Sequence, residues 1–186
     1  MALETKHIRL IPSNISLLHH ALIGNKQFEK IIEAKVPKNW TGFGLEPLKE
    51  SLHKLQKNIE EFVWLTYFPI HKQDNLLIGS CCYKGKPLLN SAVEIGYEII
   101  PEYRNKGYTT EIVEKLITNA FMYNFVLTVN AHTVPEENAS TKILHKLGFS
   151  KIVEINDPVD SLIWKWELKR KSVLSPNNNS TNLNNI

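Results

Sequence analysis

A cationic loop bearing one glycine, Arg104, Asn105, Lys106 and Gly107, stands between a strand-like run and a helix-like run of this 186-residue chain. Free N–H groups at a helix start, the positive end of the helix dipole, a glycine that admits close approach and two flanking cations suit a phosphate, and a pyrophosphate in particular. An ordinary strand-to-helix turn with solvated charges has the same pattern, so spacing alone leaves both readings open. Neither Gly-x-x-x-x-Gly-Lys-Ser/Thr nor Gly-x-Gly-x-x-Gly occurs in the chain, and nucleoside triphosphate and dinucleotide sites lose most of their support.

The elements that must position this loop follow from periodicity. Over residues 92–100 the β-branched and aromatic residues Val93, Ile95, Tyr97 and Ile99 fall on one face of a strand, with Glu94, Gly96 and Glu98 on the other. Pro101 lacks an N–H and stops the ladder. Beyond the loop, Ile112, Val113, Leu116, Ile117, Ala120 and Phe121 form a broad apolar stripe, so a helix is expected to start near Tyr108.

Residues 92–111 resemble the acetyl-CoA-binding motif of the GNAT N-acetyltransferases, whose Arg/Gln-x-x-Gly-x-Gly/Ala loop is matched by Arg104 to Thr109. A second block, Asn138-Ala139-Ser140 followed by Gly148-Phe149, is similar to the later helix of the branch containing the ribosomal-protein alanine acetyltransferases. The likeness extends more loosely over residues 3–169. Two positions depart from the pattern: Thr109 replaces the small last residue of the loop, and Leu144 stands where many members carry a tyrosine that protonates the departing thiolate.

The resemblance implies an α/β fold with a mixed, mostly antiparallel sheet, and two splayed strands whose free backbone groups pair with the pantetheine of acetyl-CoA. It implies cofactor contacts at Ile99, Ile100, Arg104, Asn105, Lys106, Gly107, Tyr108, Thr109 and Asn138, with a backbone N–H near Ile99 serving the thioester oxygen. It implies direct transfer to a primary amine of a peptide or small molecule. A carboxylate or relayed water must then free the amine lone pair. Glu94 aligns with the strand glutamate used as that base, its half-buried setting being expected to raise its pKa, or else is structural. Ser140 is a candidate donor to the sulfur or a helix cap. Glu98, Trp40 and Phe43 are candidates for the acceptor pocket, and Trp40 and Phe43 equally for caps on the core. His145 is expected at the surface. A non-catalytic acyl-CoA-binding module is the alternative, with a domain that recognises protein N-termini for assembly a third.

Composition bounds the rest. A chain of this length with 42% hydrophobic residues suits one core-bearing domain, placed over residues 1–171, and an Asn-rich tail over 172–186 that is expected not to fold. A net charge of +3 and scattered cations give no nucleic-acid signature. The amino terminus lacks a signal-peptide pattern and no run reaches the length of a membrane span, so a cytoplasmic protein, monomer or homodimer, is expected. Cys81 and Cys82 adjoin within a strand and point to opposite faces, which fits packing rather than a disulfide or metal pair; no metal is expected.

The remaining elements are a strand near residues 7–12, a helix carrying Ile15, Leu18 and Leu22 that ends at Gly24, a short helix over 28–36, and a loop over 37–47. A helix carrying Leu48, Leu52, Leu55, Ile59 and Phe62 follows, then a hairpin of 62–70 with 76–83. Past the central helix come a strand over 126–133 and a final pair over 151–155 and 162–168.

Overall fold

The computed structural model describes residues 2–87, 91–157 and 161–171. The expected tail over 172–186 and part of the turn over 84–91 lie outside the described residues. Strands β1 (Leu3–Glu4) and β2 (Ile8–Pro12) lead into helices α1 (Ile15–Ile23), α2 (Asn25–Ile32) and α3 (Glu46–Lys57). Strands β3 (Thr66–His71), β4 (Leu76–Leu77), β5 (Gly79–Tyr83) and β6 (Ala92–Ile99) follow, then helix α4 (Tyr108–Phe121), strand β7 (Thr128–Thr133), helix α5 (Ala139–Lys146) and the pair β8 (Ser150–Asp157) and β9 (Ser161–Lys169).

The strands form one sheet in the order β1-β2-β3-β5-β6-β7-β9-β8, with β4 on β3. Every pairing is antiparallel except β6 with β7. The fold is thus the mixed, mostly antiparallel α/β arrangement that the resemblance implies. A parallel neighbour requires a crossover, and α4 supplies it.

Register assigns the two faces. Cys81 lies opposite both Tyr67 and Tyr97, and Tyr83 opposite Ile95, so these side chains share a face. Helix α4 covers it: the Tyr83 hydroxyl donates to Leu116 O at 2.6 Å, and Ile112, Val113, Leu116 and Ala120 are fully buried. Ile112, Val113 and Leu116 each contribute about 1.5–3 kcal/mol on burial. Helix α5 lies on the same face, where the His145 ring meets Trp166 edge-on at 4.8 Å. Thr66, Phe68, Cys82, Gly96 and Glu98 look the other way, towards α1 to α3. Ser51 of α3 pairs with Thr66 at 2.8 Å, and Phe28 of α2 packs on Phe68 at 4.9 Å.

Several boundaries differ from the periodic reading. The helix expected to carry Ile59 and Phe62 stops at Lys57, because Asn58 turns extended and its side chain accepts from Glu60 N at 3.1 Å, starting a 3-10 turn over Ile59–Trp64. The strand expected from residue 62 therefore begins at Thr66. The run 76–83 is broken after Leu77: Gly79 has φ 154, and a Cβ there would lie 2.2 Å from Glu98 O, which only glycine avoids. The short helix runs from Asn25 to Ile32 and ends where Glu33 turns left-handed.

Candidate functional site

The centre of the site is a fork in the sheet. Parallel pairing of β6 with β7 runs from Ala92–Thr128 to Ile95–Ala131 and stops, while β7 stays on β9 through Thr133. Lys84 N donates to Glu94 O at 2.9 Å and Ile100 N to Ile78 O at 2.8 Å. Antiparallel ladders alternate, so Glu94, Gly96, Glu98 and Ile100 turn their main-chain groups to β5, and Tyr97 and Ile99 turn theirs into the fork. Ile99 thus turns its N–H into the fork. Ile100 turns its N–H to the β5 side.

The loop beyond β6 is built to expose donors. Gly107, at φ 82, takes the position before α4, and no side chain caps that helix. The first intrahelical bond is Glu111 N to Gly107 O at 3.1 Å, leaving the N–H groups of Tyr108, Thr109 and Thr110 without helical acceptors at the positive end of the dipole. Arg104 folds back so that Nε donates to Ile99 O at 3.1 Å, Asn105 is left-handed at φ 59, and Lys106 sits 5.0 Å above the Tyr103 ring. Arg104, Asn105, Lys106 and Gly107 are all exposed.

Tyr108 points inward and pins this helix start. Its hydroxyl lies 3.1 Å from His71 Nε2, and His71 Nδ1 lies 2.8 Å from Asp74, which also accepts from Tyr103. Glu111 accepts from His7 N at 2.7 Å and meets His7 Nδ1 at 2.8 Å. Burial pushes the Glu111 carboxyl up, but hydrogen bonds from Thr5 and His7 outweigh it and hold the group below the usual carboxylate range.

On the face of α1 to α3, the two strand glutamates do different things. Glu98 accepts from Thr41 Oγ1 at 2.7 Å, Gly42 N at 2.6 Å, Phe43 N at 3.0 Å and Ser80 Oγ at 2.7 Å. It therefore clamps the 41–44 loop to the central strand, and its oxygens are occupied. Phe43 is held at the rim of that loop, 63% exposed, whereas Trp40 is 3% exposed and packs on Phe28 and Phe68. Trp40 is a core residue. Glu94 is half-buried and paired: Oε1 is shared by Lys84 Nζ at 2.5 Å and His132 Nδ1 at 2.8 Å. His132 Nε2 is buried without a partner.

The helix caps are also redistributed. Asn138 Oδ1 accepts from Ser140 N at 2.8 Å and Thr141 N at 3.2 Å, so Asn138 is the cap and Ser140 is not. Ser140 thereby keeps its hydroxyl for another partner, and its neighbour across the fork is Tyr97. Leu144 is fully buried. Burial lifts the Cys82 thiol to about 11 and raises Cys81 further, so neither supplies a thiolate nucleophile.

His132 and Tyr97 carry no role in the periodic reading. His132 was legible in part, since Asn130 and His132 alternate with Val129, Ala131 and Thr133 and so share a face with Glu94. Tyr97 reads as core packing because it follows the apolar face of β6; only its buried hydroxyl distinguishes it.

Comparison with known proteins bears on the family and the fold. An uncharacterized N-acetyltransferase of Bacillus subtilis, YjdG, is 28% identical over 148 residues, covering 79% of this chain and 88% of its own. Among solved structures, a ribosomal L7/L12 alpha-N-protein acetyltransferase, RimL, in complex with coenzyme A superposes with a TM-score of 0.64 at 14% identity, covering 91% of this chain and 98% of its own. The dodecameric spermidine N-acetyltransferase of Vibrio cholerae gives 0.62 at 14% identity, covering 89% and 95%. Residues 18–150 match the family described as the acetyltransferase (GNAT) domain, and the chain belongs to that family of acetyltransferases.

Proposed function

We propose that the protein transfers an acetyl group from acetyl-CoA directly to a primary amine, with a peptide α-amine as the first acceptor class and small amines, including polyamines, as the second. The observation that carries this reading is the fork: pairing that stops at Ile95 and Ala131, beside a helix start whose first N–H groups are uncapped. The residues present fit the coenzyme. The N–H groups of Tyr108, Thr109 and Thr110, with Arg104 and Lys106 alongside, would hold a pyrophosphate, and Asn138 stands across the fork. When bound, acetyl-CoA supplies an activated acyl carbon with a thiolate as leaving group.

The chain's own groups then divide the work. The N–H groups of Tyr97 and Ile99 point where a carbonyl oxygen lying in the fork would gather charge. The Glu94–His132 pair lies on the opposite face from α4 and receives the amine proton, Glu94 holding Nδ1 so that the unpartnered Nε2 offers its lone pair. Ser140 serves the departing sulfur. Burial holds both thiols up, which favours direct transfer over a cysteine-bound intermediate. The acceptor approaches over the Glu98-clamped loop, with Phe43 at its edge. Among the described residues no helix is long and apolar enough to cross a membrane.

The branch resemblance favours the peptide acceptor. The test is release of free thiol from acetyl-CoA in the presence of peptides with small amino-terminal residues and, separately, polyamines. Peptide-dependent release with a mass gain on the amino terminus supports the reading. Release with polyamines alone reassigns the acceptor, and no release with either removes it.

A further inference from the structure

The side of the fork that faces α4 and α5 contains a buried phenol, that of Tyr97. Tyr97 Oη is buried and meets no partner at full hydrogen-bond geometry among the described residues, the Ser140 hydroxyl being the group near it. Tyr97 is the second residue of β6 past the last β7 pair, so its side chain stands beside the opening. Its polar neighbour is Ser140, in the first turn of α5, whose own N–H is already taken by Asn138. Strand and helix thus bring two hydroxyls together across the gap, on the face opposite Glu94 and His132.

Resting on the acetyl-transfer reading above, we propose that the Tyr97 hydroxyl is the hydrogen-bond donor to the departing sulfur, working with Ser140, and that it fills from the strand the role left vacant at Leu144 on the helix. As the amine nitrogen forms its bond to the acyl carbon, the C–S bond breaks and its electron pair moves to sulfur, where the phenol O–H meets it. The amine proton leaves on the other face, to Glu94 and His132. The phenol is a donor rather than an acid: burial pushes it up to about 12, with Ser140 pulling weakly the other way, well above a thiol near 8.5. The proton therefore stays on oxygen while the hydrogen bond stabilises the thiolate.

The experiment is Tyr97→Phe, which keeps the ring and removes the hydroxyl, with acetyl-CoA turnover and calorimetric binding of coenzyme A and desulfo-coenzyme A. The expected result is kcat lower by about 10- to 100-fold, with KM for acetyl-CoA nearly unchanged. Coenzyme A binding weakens, and desulfo-coenzyme A binds as tightly as to the unaltered protein. Equal weakening of both ligands marks a packing role and overturns the proposal, as does unchanged turnover with sulfur discrimination intact. Binding and turnover by the unaltered protein, with no effect of Tyr97→Phe, removes this inference alone. Absence of binding by the unaltered protein removes the transfer reading and this inference with it.

Discussion

Nδ1 of His132 lies 2.8 Å from Oε1 of Glu94, joining β7 to β6 next to the last residue at which the two strands pair. The pair couples a carboxylate to a ring whose other nitrogen is buried and unpartnered. A carboxylate that fixes one imidazole nitrogen leaves the other as the proton acceptor, and in the proposed transfer Glu94 positions His132 and His132 takes the amine proton.

Glu94→Gln and His132→Gln are each expected to lower kcat/KM by about 100-fold or more while leaving coenzyme affinity within about 2-fold. The double substitution should cost little beyond either single one, because the two side chains act as one unit. Steady-state kinetics beside calorimetry separates this from an unrelated loss of fold.

Glu98→Ala frees Thr41, Gly42 and Phe43 together, since all three donate to its oxygens. The 41–44 loop should then exchange its amide hydrogens faster, and kcat/KM for the acceptor should fall by about 10- to 100-fold through lost positioning. Coenzyme binding should hold, as Glu98 lies on the other face of β6 from α4.

Trp40→Ala is a stability substitution. The ring is enclosed by Phe28 and Phe68, so removing it should destabilise the protein by about 3–5 kcal/mol. Phe43→Ala, at an exposed rim, should change stability by less than about 0.5 kcal/mol and act on acceptor kinetics instead. Denaturant unfolding of the two variants distinguishes core from pocket.

Acid should loosen the junction of the amino-terminal strands with α4. The Glu111 carboxyl is held below its usual value in the folded chain, so its contribution is present above about pH 4.5 and is lost as pH falls through the lowered folded value. Glu111→Gln should flatten the dependence of stability on pH below about 4.5 and leave neutral behaviour with a constant deficit. Chemical denaturation at a series of pH values provides the readout.

Much of this was legible in residue order, and the parts that were not share a cause. The alternation along β6 fixed which side chains sit together, and Gly107 before an apolar stripe marked the start of α4, because backbone sterics and 3.6-residue spacing are local. Asn58 interrupts the Leu48 to Phe62 stripe with a side-chain bond that competes with the helix, which spacing cannot register. Trp40 goes to the core because Phe28 and Phe68, distant in sequence, enclose it. The likeness to GNAT proteins pointed to Glu94, but its partners arrive from β7 and from the turn after β5, so its pairing exists only in three dimensions. Asn138 rather than Ser140 caps α5, a choice of cap that either residue type could have made.

The central claim is that the Arg104 to Thr109 loop and the fork hold acetyl-CoA. Calorimetric titration with acetyl-CoA, run on the unaltered protein and on Arg104→Ala, tests it most directly. Saturable one-to-one binding that Arg104→Ala weakens by about 10- to 100-fold is the predicted result. No binding, or binding indifferent to Arg104→Ala and to Lys106→Ala together, contradicts the account.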